Sequence, residues 1–143
     1  MQAGVQKYSR LLFLREDAMT IQEALNLVDE MQPNTMSAAA KISFISELEG
    51  KIHREILMKH VHTAAEETCP TYNSETDGST ELLVKEPYHM VYVYWVLSRL
   101  DEQNREWDEF NNHRTLFKTA WDEFGDYWRR EHMPITRYPR FII

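Results

Sequence analysis

Pro87-Tyr88-His89-Met90-Val91-Tyr92-Val93-Tyr94-Trp95-Val96-Leu97-Ser98-Arg99-Leu100 is the stretch on which the fold turns. Val91, Tyr92, Trp95 and Leu100 fall on one face of a helix, and the same face continues through Trp107 and Phe110. Pro87 suits a first helical turn, where its missing N–H would have had no partner, so the helix is expected to start there. A further stripe, Leu116, Phe117, Ala120, Trp121, Phe124 and Trp128, has the same period. One helix from Pro87 to His132 would far exceed the roughly 8 to 20 residues usual in globular proteins. A break is therefore expected at Asn111-Asn112, which offers a turn or a new N-cap, and Met133-Pro134 ends the last helix.

Toward the N-terminus, Thr20 and Glu23 form a capping box ahead of Ile21, Ala24, Leu25 and Val28, which recur at helical spacing. Proline pushes the residue before it out of the α region, so Gln32, before Pro33, closes this first helix. Ser37 caps a second one. Its apolar face, Ile42, Ile45, Leu48, Ile52 and Ile56, runs on to Lys59 over about six turns, interrupted only by Gly50. Glycine costs about 1 kcal/mol relative to alanine inside a helix, which suits a place where another backbone packs close. From Val61 to Glu86 the periodicity fails and acidic residues accumulate; a loop this long is commonly functional or partly structured. Within it Leu82-Leu83-Val84 reads as a short strand or a buried anchor. The expected fold is all-α: a small bundle of about four helices, an acidic loop between the second and third, and an extended C-terminal arm. Residues 1–18 form an N-terminal extension, 19–134 the helical domain and 135–143 the arm.

The chain has 143 residues, enough for one core that buries roughly two thirds of the unfolded surface. Hydrophobic residues at 43% and charged residues at 27% are ordinary globular usage, and four Gly and five Pro favour helices over a turn-rich sandwich. A formal charge of -7 opposes a grip on nucleic acid, which needs clustered Lys and Arg. Cys69 is the only cysteine, and no apolar run of about 18 residues exists to span a bilayer. Leu11-Leu12-Phe13-Leu14 is shorter than a signal-peptide core and runs into Arg15-Glu16-Asp17, so synthesis in the cytoplasm without export is expected.

Motifs for catalysis are sparse. His53, His60, His62 and Cys69 offer zinc-ligand chemistry, but their spacing matches neither C-x2-C nor H-E-x-x-H, and histidines near a helix C-terminus also answer the helix dipole. Glu86-Pro87-Tyr88-His89 has the Glu-x-x-His spacing of di-iron bundles in a single copy, where that site needs two. Asp101-Glu102, Asp108-Glu109 and Asp122-Glu123 alternate with apolar helical positions and read as solvated faces. No nucleophile elbow, P-loop or G-x-G-x-x-G occurs. No enzyme activity, metal or cofactor is expected. Aromatics at 12% exceed what one small core usually buries, and Tyr and Trp are favoured at interface hot spots. Tyr88, Tyr94 and Tyr127 fall partly off the main stripe, which suits either a neighbouring subunit or simple amphipathic exposure. In the arm, Arg137, Tyr138, Pro139 and Arg140 join guanidinium and aromatic groups on a proline-stiffened chain, followed by apolar Phe141, Ile142 and Ile143. Such stiffening lowers the entropy lost on docking; the other reading is an unstructured terminus.

Thr20-Ile21-Gln22-Glu23-Ala24-Leu25, Ser46-Glu47-Leu48-Glu49-Gly50-Lys51-Ile52, Glu81-Leu82-Leu83-Val84 with Glu86-Pro87-Tyr88, and Asp101 through Asn104 to Phe110-Asn111-Asn112 together resemble the head-tail connector (adaptor) proteins of long-tailed bacteriophages. The likeness spans about Thr20 to Pro134 and lies in the order of the motifs and the Glu-Pro-Tyr helix start. It implies a structural virion protein of the neck, a subunit of a ring, usually a dodecamer, between the portal protein and a stopper or tail completion protein. Such a ring extends the channel through which packaged DNA passes without specific binding. By position alone, Arg137 to Ile143 would be the arm that docks on the portal or on neighbouring subunits. Glu66, Glu67, Glu75, Asp77 and Glu81 would line or overhang the passage, where repulsion keeps DNA mobile. A stopper, a tail terminator and a small cytoplasmic helical regulator that binds a protein partner are the alternatives.

Overall fold

The computed structural model describes residues 18–135. Residues 1–17 of the N-terminal extension and the arm from 136 onward lie outside them. The described residues hold two short strands, β1 (Ala18–Thr20) and β2 (Glu81–Lys85), and four helices: α1 (Ile21–Met31), α2 (Ala38–Glu55), α3 (Met90–Asn104) and α4 (Trp107–Glu131). Most of this is helical, but β1 and β2 form an antiparallel two-stranded sheet, with Ala18 opposite Lys85 and Thr20 opposite Glu81. The fold is therefore a helical bundle with a small sheet, and the strictly all-α expectation is corrected. Leu82-Leu83-Val84 stands in β2, with Leu82 and Val84 buried.

The caps at the front of the chain form where the sequence places them. Thr20 Oγ1 accepts from Glu23 N at 3.2 Å, and Glu23 Oε1 accepts from Thr20 N at 3.0 Å. Gln32 closes α1, donating its N–H to the Val28 carbonyl, and Ser37 Oγ accepts from Ala40 N at the start of α2. The second helix ends sooner than its stripe suggests. After Glu55 the chain tightens into a 3₁₀ turn, Leu57–Lys59, and His60 Nδ1 meets the Ile56 carbonyl at 2.7 Å. Gly50 departs from its expected role. A Cβ built there meets nothing within 4 Å among the described residues, so none of their backbone crowds it. Gly50→Ala is accordingly expected to stabilise the chain by about 1 kcal/mol, read as a higher urea midpoint at unchanged m-value.

Pro87 does not open the third helix. The Glu86-Pro87 peptide is cis, Tyr88 N donates to Lys85 O at 2.9 Å in a turn, and α3 begins three residues later, at Met90. The break between the last helices also moves. Asn111-Asn112 lies inside α4, whereas the chain turns at Arg105 and Glu106. Arg105 adopts the left-handed conformation, φ 58°, and Glu106 N returns to the Asp101 carbonyl at 2.9 Å, so a αL C-cap ends α3 without a glycine.

Asp101, fully buried, ties this corner together. Its Oδ2 lies 2.5 Å from His113 Nδ1 on α4, and its Oδ1 accepts from Gln32 Nε2 at 3.0 Å. From there α3 and α4 run antiparallel, meeting through Ser98 and Arg114, Trp95 and Phe117, then Tyr88 with Phe124 and Tyr127. The core lies between the apolar faces of α1, α2 and α3, with Ile21, Val28, Ile45, Leu48, Ile52, Val84 and Tyr92 all fully enclosed. From α4, Ala120, Phe124 and Trp128 are buried in it, and Phe117, Trp121 and Tyr127 pack half-buried against it. Trp107 and Leu116, which the stripe assigns to an apolar face, remain 54% and 44% exposed. Among the described residues Trp107 meets the Phe110 ring edge-on at 5.6 Å between centroids, one turn along its own helix.

Candidate interaction surface

α2 presents two different faces, because residues two apart on a helix stand about 200° apart around its axis. Ser46, Glu49 and His53 share one face and hold the acidic excursion. Tyr72 N donates to Ser46 Oγ at 3.0 Å, Tyr72 OH donates to Glu49 Oε2 at 2.8 Å, and His53 Nε2 meets the Glu66 carbonyl at 2.8 Å. Glu49 is fully buried and takes two further donors, Leu83 N at 2.9 Å and Tyr92 OH at 2.6 Å. Burial pushes its carboxyl up from the usual range against the pull of these donors, and both tyrosine hydroxyls are pushed up by burial and by the neighbouring carboxyl. This network explains why a segment without periodicity is held in place. Tyr72 is its plug, and the side chains of Glu49 and Tyr92 accept from the β2 backbone where, among the described residues, the sheet has no third strand.

Lys51 and Glu55, on the opposite face of α2, border a groove of about 450 Å³ shared with α3 and α4. Its floor is Trp95, whose indole N–H is fixed to the Phe44 carbonyl at 3.0 Å. Phe117 leans on Trp95 at 5.1 Å between ring centroids, and Trp121 on Phe117 at 5.8 Å. Cations stand over these rings. The Arg114 guanidinium is 4.8 Å from the Trp95 centroid and 4.9 Å from that of Phe110, while Lys51 Nζ is 5.7 Å from Trp95. Arg99 covers Phe44 at 4.8 Å and also pairs with Glu47 and Glu102. Each such contact contributes roughly 0.5–1 kcal/mol at an exposed site. On a chain of net charge -7, three cations, Lys51, Arg114 and Lys118, line the groove against one carboxylate, Glu55.

A second cleft, about 410 Å³, lies at the other end of the α3–α4 pair between Leu57, Lys85, Tyr88, Phe124, Tyr127 and Trp128. Tyr88 and Tyr127 stack there at 5.0 Å, so these two off-stripe tyrosines are half-buried against each other rather than standing free.

The chain matches no protein-family model, no curated protein and no solved structure.

The acidic residues singled out in the sequence are strung along one excursion. Glu66 and Glu67 sit on a 3₁₀ turn, Ala65–Glu67, where Glu66 forms a reciprocal box with Thr63 and Glu67 lies 3.5 Å from His62. Asp77 accepts from Ser79 N at 2.9 Å, which holds its carboxyl below the usual value, and Glu75 and Glu81 are exposed. The seven arm residues, Arg137 to Ile143, lie outside the described ones. The chain leading to them is fixed: Val61 N donates to Met133 O at 2.7 Å and Ile135 N to Lys59 O at 3.0 Å. His53, His60 and His62 each meet a backbone carbonyl, and among the described residues no group of three or more His, Cys, Asp or Glu is placed to hold a metal. Nor is any described helix long and apolar enough to cross a membrane.

Glu49, Asp101, Lys51 and Arg114 escaped the sequence reading as site residues. A signal existed for the first two. Glu49 stands four residues after Ile45, and Asp101 four after Leu97, so each puts a carboxylate on an apolar helical stripe.

Proposed function

We propose that this chain is a structural connector subunit of a phage neck. In this reading it is an adaptor that assembles as a ring between the portal and a stopper or tail completion protein, around packaged DNA that passes without specific contact. The observation that carries the reading is the cation-topped aromatic groove of α2, α3 and α4, in which the half-covered rings of Phe117 and Trp121 lean on a buried Trp95 and suit a macromolecular partner. The residues behind the adaptor resemblance also do structural work in this fold. Thr20 caps α1, Glu49 anchors the excursion, Val84 is enclosed in β2, and Asp101 closes the α3–α4 corner. A ring needs such a rigid body, because every subunit repeats the same two surfaces and angular error accumulates around the circle.

The arm from Arg137 to Ile143 is assigned to portal attachment, since Ile135, close before it, is tethered to Lys59 and gives the arm a fixed point of departure. Negative-stain microscopy of the full chain, alone and with its cognate portal, tests the assignment. Rings or capped portals are the expected images, and a monomer that ignores the portal would reject the reading. Removing residues 137–143 is expected to abolish portal capture and leave the helical circular dichroism intact. Capture undiminished by that truncation would remove the arm from the mechanism.

A further inference from the structure

We infer that the aromatic groove receives the acidic excursion of a second copy of this chain, so that copies join head to tail. The inference rests on the ring reading above and specifies its interface. The two surfaces lie on opposite faces of α2: Ser46, Glu49 and His53 hold the excursion on one, and Lys51 and Glu55 border the groove on the other. A patch and its complement on opposite sides of one rigid helix cannot meet within a single molecule. Between molecules they produce a heterologous contact that repeats, and it closes when the rotation per copy divides a full turn.

Charge complementarity selects this occupant. The excursion offers Glu66, Glu67, Glu75, Asp77 and Glu81, with His62 3.5 Å from Glu67. The groove offers Lys51, Arg114 and Lys118 around apolar rings, with Glu55 opposing and Lys118 also 3.1 Å from Asp122. Carboxylates brought over these cations would complete cation–π pairs already in place, and the ring edges provide the desolvated centre that exposed charges alone lack. The excursion is fixed in advance by Glu49, Tyr72 and His53, so docking orders little new chain. A stopper or other acidic protein is the rival occupant, and the test separates them.

The experiment uses the full chain in two charge-reversed forms, Lys51→Glu with Lys118→Glu, and Glu67→Lys with Glu75→Lys, and a form carrying all four changes. Lys118 and Glu67 side chains are 77% and 57% exposed, and circular dichroism is expected to show unchanged helix in every form. Self-association is followed by sedimentation velocity, alone and on the cognate portal, at low and high salt. Each reversal alone is expected to weaken association roughly 100-fold at low salt, and the fourfold form to recover to within about tenfold of the starting protein. Rings that survive both single reversals would overturn this interface and leave the ring reading intact. Loss without recovery in the fourfold form would overturn the pairing of these two surfaces. A chain that remains monomeric both alone and on the portal would end both readings together.

Discussion

Glu49→Ala is expected to cost about 4 kcal/mol of folding stability, a large share of the roughly 5–15 kcal/mol that holds a domain of this size together. The loss comes from what the substitution leaves behind. Both carboxylate oxygens are occupied, by Tyr72 OH and Leu83 N on one and Tyr92 OH on the other, at 2.6–2.9 Å. The two tyrosine hydroxyls are enclosed, so neither regains a partner from bulk water without opening the core, while Leu83 N is only partly covered. Tyr92 OH still accepts from Val84 N at 2.8 Å but loses the acceptor for its own proton. The cavity left by the side chain adds to the loss. Urea unfolding followed by circular dichroism measures it, and a change under 1 kcal/mol would mean that the network contributes nothing net. The excursion that carries Tyr72 is expected to loosen first, seen as faster amide exchange between residues 68 and 80.

Glu49→Gln separates charge from shape. The amide fills the same volume but presents two donors to partners that are themselves donors, so a smaller loss is expected. The pH dependence is the sharper readout. Unfolded, the Glu49 carboxyl releases its proton near the ordinary 4.5; folded, burial holds the proton to higher pH. Between those values the unfolded chain binds fewer protons, so this residue makes stability fall as pH rises. Other shifted groups act elsewhere. Asp29, held low chiefly by its hydrogen bond to Lys41, and Asp77, held low by Ser79, lose their contributions only as pH falls through and below 3.8. His62, raised chiefly by the His60 carbonyl, keeps its contribution below 6.5 and loses it above. From pH 4.5 to 6.5 the Glu49→Gln protein should therefore show a flatter stability profile than its parent. Parallel profiles would show that the buried carboxyl keeps its ordinary proton affinity.

Local chemistry explains which parts of this fold were legible. Thr20 with Glu23, Gln32 before Pro33, and Ser37 are signals read from three or four neighbouring residues, and each acts where its geometry requires. The Asn111-Asn112 break failed because a good N-cap residue does not stop a helix that packing continues: α4 passes through both while His113 and Arg114 bind α3. The real turn, at Arg105, carries no glycine, and its cause is a carbonyl of Asp101 whose side chain is itself held by α1 and α4. Pro87 misled in the same way, since its ring suits a first helical turn and a tight turn equally well. The groove was half legible. Aromatic periodicity marked Trp95, Phe117 and Trp121, but only tertiary structure brings Lys51, from a helix some forty residues earlier, over the Trp95 ring.

Asp101→Ala is expected to cost about 3–5 kcal/mol, because the same side chain joins three segments distant in sequence. It stands fully buried near the end of α3, bound by Gln32 from the end of α1 and by His113 from α4. Alanine removes both partners' acceptor at once and leaves the largely covered His113 ring without its carboxylate partner. The backbone carbonyl of Asp101, which accepts Glu106 N, survives the change, so the turn itself should persist while α4 loses its register pin. Asp101→Asn keeps one acceptor for Gln32 and offers an amide to the imidazole, and should cost only about 1–2 kcal/mol. A double-mutant cycle with His113→Ala isolates the α3–α4 link. Its coupling energy should lie near 1–3 kcal/mol, and a value near zero would assign the loss to Gln32 alone. Because the α4 residues of the groove run from three positions before His113 to eight after it, the same substitution is expected to weaken self-association beyond what lost stability explains. Strong association by a well-folded Asp101→Ala protein would show that the groove does not depend on this corner for its shape.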